Sequence, residues 1–137
     1  MRTATIYIAA LLSALLVASC GTTRLSRQDL SDFDAGRKAI VRADNNPLLV
    51  DIVLMERPVV RIWAVDSRQL DTEIFNLNDQ IAVDVGHHEI ELGCVDRAEH
   101  SEEDFSETIE MDLKPYHMYL VSCWFESGFK IEEKLVK

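Results

Sequence analysis

The stretch His117-Met118-Tyr119-Leu120-Val121-Ser122-Cys123-Trp124-Phe125 decides how this chain folds. Turn signals bound it on both sides, Lys114-Pro115 before and Glu126-Ser127-Gly128 after. Side chains alternate between the two faces of a strand. Tyr119, Val121, Cys123 and Phe125 therefore share one face, and Met118, Leu120 and Trp124 the other. A strand that is apolar on both faces sits inside a sheet, covered on both sides by its own domain or on one side by a partner.

Outward from that strand, short runs rich in β-branched and aromatic residues recur between turn signals, and no window sustains a helical i, i+3, i+4, i+7 pattern. The spacing predicts strands at Ala39–Arg42, Leu48–Met55, Val59–Asp66, Glu73–Phe75, Gln80–Val85, His88–Val95, Phe105–Leu113, His117–Phe125 and Phe129–Val136. In Ile81-Ala82-Val83-Asp84-Val85 the odd positions are apolar and Asp84 is polar, so one face is buried. Many short strands 8–12 residues apart predict an all-β fold, a small antiparallel β-sandwich of Ig-like or prealbumin-like type.

The N-terminus is of another kind. Arg2 is followed by an apolar run from Ile6 to Val17, then by Ala18, Ser19 and Cys20. The run is shorter than the ~20 residues a membrane span needs and has the layout of a secretory signal peptide. Leu11, Leu12, Leu15, Leu16 and Val17 leave no polar face for a buried amphipathic helix. Val17-Ala18-Ser19-Cys20 resembles the lipobox of bacterial lipoproteins. That resemblance implies cleavage after residue 19 and a Cys20 that carries a diacylglycerol and an amide-linked acyl chain. Gly21 follows, not Asp, and in Gram-negative lipoproteins this implies sorting to the outer membrane. An ordinary signal peptide cleaved near Cys20, leaving a free thiol, is the alternative.

The expected division is a signal peptide over 1–19, a lipidated N-terminus and flexible tether over 20–36, and a β-sandwich domain over 37–137. One helical turn is expected near Ser26–Asp32 within the polar tether. The signal peptide holds one basic residue and no acidic one, so the formal charge of −10 becomes −11 on its removal. A surface that acidic repels nucleic acid and anionic headgroups, which leaves the lipid as the membrane contact.

From Ile81 to Val136 the chain also resembles small bacterial envelope lipoproteins with PEGA-like β-sandwich domains. Val83, Gly86, His88, Ile90 and Leu92 match one strand motif, and Pro115, Tyr119 and Val121 the next. The family's Pro-Gly turn reads Val85-Gly86 here, and its Ala-Gly turn reads Lys114-Pro115. The resemblance implies a fold and a cell-envelope setting, with no catalytic residues.

Candidate chemistry is sparse. Cys94 shares a face with Ile90 and Leu92, and Cys123 lies on the face already described, so both point inward. A disulfide between them is the leading expectation in an oxidising compartment, with two buried thiols the alternative. There is no Cys-x-x-Cys, so redox catalysis is not expected. His87 and His88 would point to opposite faces of a strand, so no metal site is expected there. The acidic loop 96–104 lacks the spacing of an EF-hand and offers at most a loose divalent-cation site. No Gly-x-Ser-x-Gly, Ser-x-x-Lys or phosphate loop occurs, so no enzyme and no cofactor beyond the lipid on Cys20 is expected.

Trp63 and Trp124 are the last signal. At least one is expected in the core, and core for both is the leading reading; the alternative puts one on a half-exposed face where an aromatic residue with Arg61 contacts an envelope protein. The expected function is that of a membrane-anchored, non-catalytic binding or scaffolding module. A small ligand- or cation-binding lipoprotein using the acidic loop is the second expectation.

Overall fold

The computed structural model describes residues 25–45, 58–70, 80–96 and 104–137. Among these residues one helix, α1 (Arg27–Asp34), precedes eight strands: β1 (Lys38–Ala43), β2 (Val59–Val65), β3 (Arg68–Gln69), β4 (Gln80–Asp84), β5 (Gly86–Val95), β6 (Phe105–Leu113), β7 (His117–Trp124) and β8 (Gly128–Leu135). They form two four-stranded sheets, β4-β1-β7-β8 and β3-β2-β5-β6. The all-β sandwich is as the strand spacing predicts. Cys20 and the export signal, and the strands expected at 48–55 and 73–75, lie outside the described residues.

As its two apolar faces require, β7 is an interior strand, flanked by β1 and β8. Tyr119, Val121 and Cys123 point into the sandwich and are buried. They meet Ile90, Leu92 and Cys94 of β5 and Val60 and Ile62 of β2 in one core. Ile62, Ile90 and Leu92 are fully buried, and each such side chain stabilises the fold by about 1.5–3 kcal/mol.

One ladder departs from the antiparallel expectation. β1 and β7 run parallel, with Val41 opposite Tyr119 and Ala43 opposite Val121. Parallel neighbours need a long crossover, and here the chain builds all of the second sheet between the two strands. Strand-by-strand periodicity carries no information on such a pairing.

A second departure concerns the polar N-terminal segment. From Ser26 onward it is not a tether. Ser26 and Asp29 form a capping box, which satisfies orphan N–H groups at the helix start. At the other end Gly36 N–H donates to Phe33 O and Arg37 N–H to Asp32 O. Those two bonds, with Gly36 at φ +72°, make a Schellman stop. Phe33 is buried, and Lys38 Nζ donates to Asp29 Oδ1 at 2.8 Å. The helix is thus fastened to the outer side of β1, where Ile40 is also buried. The helical turn expected near Ser26–Asp32 is part of this helix, and the rest of the expected tether before Leu25 lies outside the described residues.

The third departure is a bulge in β2. Ile62 lies opposite Leu92 and Ala64 opposite Glu91, so Trp63 is the extra residue. A bulge re-aims the side chains that follow it. Val65 pairs with Ile90 and packs on the core, instead of sharing the outer face of Arg61 and Trp63.

Candidate functional site

Three places in the described residues hold side chains that sequence singles out. The first is the core. Cys94 on β5 and Cys123 on β7 form a disulfide between the two sheets, with Cα atoms 6.0 Å apart. Both residues are buried, so the bridge is a structural clamp with no access for a thiol partner.

The tryptophans occupy the second and third places, on opposite outer faces. Trp63 lies half-buried over Gly93 of β5 on the outside of the β3-β2-β5-β6 sheet. Arg61 sits opposite Gly93 on the same face, half-buried, with no hydrogen bond to its Nε among the described residues. Trp124 stands at the end of β7 beside the β7–β8 turn and is 47 % exposed. The expectation that both tryptophans, or at least one, are core is therefore corrected, since neither belongs to the buried cluster. Trp63 shares the outer face of Arg61, and Trp124 sits at the end of a strand whose outer neighbours, Leu120 and Ser122, are only half-buried. Nor do Trp63, Arg61 and Trp124 make one patch, because the sandwich lies between them.

Gly93 tests the Trp63 seat. A Cβ on Gly93 would lie 2.5 Å from Trp63 Cζ2. Gly93→Ala is expected to push the indole outward, to cost about 1–2 kcal/mol, and to red-shift the tryptophan emission. Unchanged emission and an unchanged melting temperature would argue that the ring does not rest there.

One concavity among the described residues is not foreshadowed by any motif. A groove of about 650 Å³ runs along β4, facing the β2–β3 hairpin. Val65, Leu70, Ile81 and Val83 supply its apolar wall, and Lys38 and Arg68 its basic groups. These residues come from three separate parts of the chain, so no local motif could announce them. The hairpin turn is Asp66-Ser67, with φ of +50° and +63°. Left-handed backbone at two non-glycine residues is uncommon, and here Asp66 is fastened in place. Its Oδ1 accepts from Glu89 N–H at 3.0 Å, and its Oδ2 lies 2.7 Å from His88 Nδ1. The His88 contact, then the Glu89 amide, hold the Asp66 carboxyl below the usual range. Such a depressed carboxyl stabilises the fold above its ordinary 3.8 and loses that contribution as pH falls through the lower folded value. Across the groove the Lys38–Asp29 bond raises the lysine and lowers the aspartate.

His87 points the other way from His88, as strand alternation predicts. Its Nδ1 lies 2.9 Å from Asp112 Oδ1 on the outer face. That contact lifts the imidazole above its ordinary 6.5, with Glu110 and Glu89 adding to it. The raised value means the contribution is complete below 6.5 and fades as pH rises through the folded pKa. Both side chains are largely exposed, at 59 % and 84 %, so water screens the pair and the effect on stability is small. The clean readout is an NMR titration. The His87 midpoint is expected above 6.5 and should drop in Asp112→Asn; an Asp112→Asn protein titrating like the parent would contradict the contact.

Among the described residues no three His, Cys, Asp or Glu side chains converge as metal ligands. Of the acidic loop 96–104, only Asp96 and Asp104 are described. Asp96 N–H donates to Asp104 Oδ1 at 2.8 Å, which closes the loop at its base. No described helix is long and apolar enough to cross a membrane. No family model, curated protein or solved structure matches the chain.

Proposed function

We propose that this is a lipid-anchored bacterial envelope protein whose sandwich serves as a non-catalytic binding or scaffolding module, held by Cys20 at the periplasmic side of the outer membrane. The observation that carries the reading is the Cys94–Cys123 bridge. Structural disulfides belong to oxidising compartments, which is where the signal-like residues 1–19 and the lipobox-like Val17–Cys20 would deliver the chain. Trp124, nearly half exposed at an open end, is the side chain best placed to anchor a protein partner.

In-cell crosslinking of the intact protein tests this. Trp124→Ala is expected to lose a specific crosslinked envelope partner that the parent retains, while Trp63→Ala keeps it. Identical crosslinks in parent and Trp124→Ala would remove Trp124 from the contact. A second reading, weak divalent-cation binding by the loop, draws on the Asp96–Asp104 closure that brings its two ends together. A rise in melting temperature with millimolar Ca²⁺, lost in Asp104→Asn, would favour it.

A further inference from the structure

We infer that in the anchored protein the side of the sandwich formed by β4 and the β2–β3 hairpin faces the bilayer, and the rim formed by β6 and β8 faces away. This rests on the lipidation of Cys20 proposed above. Chain reach sets the orientation. Leu25 lies in the wall of the groove beside β4, and Ser26 already caps the docked helix. Five residues lead from Cys20 to Leu25, and an extended chain spans at most about 3.6 Å per residue, so the lipidated residue stays within about 18 Å of the groove.

The opposite orientation needs more chain than that. Three inter-strand spacings of ~4.8 Å separate β4 from β8 and β3 from β6, and side chains bring the width of the sandwich to roughly 25 Å. An anchor starting at Leu25 would have to cross that width before reaching lipid.

Charge points the same way. β6 carries Glu107, Glu110 and Asp112 and no basic residue, Glu89 and Glu91 lie beside it on β5, and β8 only balances Lys130 and Lys134 against Glu132 and Glu133. The groove side offsets Asp29, Asp66 and Asp84 with Lys38 and Arg68. Anionic headgroups repel the β6 rim the more strongly. β7 adjoins β8 of the rim facing away, so Trp124 lies on the half of its sheet farther from the bilayer, while the groove lies toward the membrane surface.

The test uses the full lipidated protein in phosphatidylethanolamine–phosphatidylglycerol vesicles whose headgroups carry a fluorescence quencher. A fluorescent amino acid is placed by codon suppression at Arg68, Glu107 or Glu132, which leaves the cysteines untouched. The Arg68 probe is expected to be quenched roughly twofold or more over the other two, given their separation across the sheets. Equal quenching, or stronger quenching at Glu107, would overturn the inference. A ten-residue Gly/Ser insertion after Gly21 should erase the contrast, and a contrast that survives it would overturn the dependence on reach. Protein that carries no acyl chain and leaves the vesicles would sink the lipoprotein reading itself, and the orientation with it, before any quenching is measured.

Discussion

Cys94→Ala is expected to lower the stability of the sandwich by about 3.5 kcal/mol, and its melting temperature by roughly 15 °C. The bridge joins residues 29 apart in sequence and ties β5 of one sheet to β7 of the other. Removing it frees a loop of that size in the unfolded chain, which accounts for most of the loss. The small cavity left in the core, where Cys94 is fully buried, adds to it. Cys123→Ala should cost about the same, and the double variant little more than either, because one bond underlies both. Reduction of the parent with dithiothreitol in denaturant, followed by refolding, gives an independent version of the measurement. Melting temperatures within a degree or two of the parent would mean that the bridge contributes little in solution.

Phe33→Ala should act on one element alone. An eight-residue helix is marginal by itself, and Phe33 is the one buried side chain of α1. Deleting a buried phenylalanine ring costs about 3 kcal/mol or more where the neighbours cannot collapse. The Asp29–Lys38 pair and the capping box are half-exposed or exposed and hold the helix only weakly. Amide exchange over 27–35 is therefore expected to approach unprotected rates, while amides of β5 and β7 keep their protection. In the anchored protein the same change lengthens the chain between Cys20 and the first docked residue from about five residues to about sixteen, and should erase the quenching contrast between Arg68 and Glu107. Uniform loss of protection across both sheets would instead make α1 part of the cooperative core.

What could be read in the sequence follows from which interactions are local. The face pattern of 117–125 places β7 inside a sheet, and the inward positions of Cys94 and Cys123 allow their bridge, because both follow from strand alternation. The parallel β1–β7 pairing and the groove along β4 are set by residues brought together from distant parts of the chain. The bulge at Trp63 defeats a rule that assumes strict alternation, and it moves Val65 from the outer face to the core. The helix at 27–34 is legible only as the single turn expected near Ser26–Asp32, because its docking depends on one aromatic ring and its ends on capping, not on an apolar stripe.

Lipid attachment is the claim on which address, orientation and role depend, and the intact mass of the protein purified from native envelopes tests it most directly. A mature chain beginning at Cys20, with added mass equal to a diacylglycerol and one amide-linked acyl chain, is the expected result. An N-terminus with no added mass, from protein recovered in the soluble fraction, would contradict it.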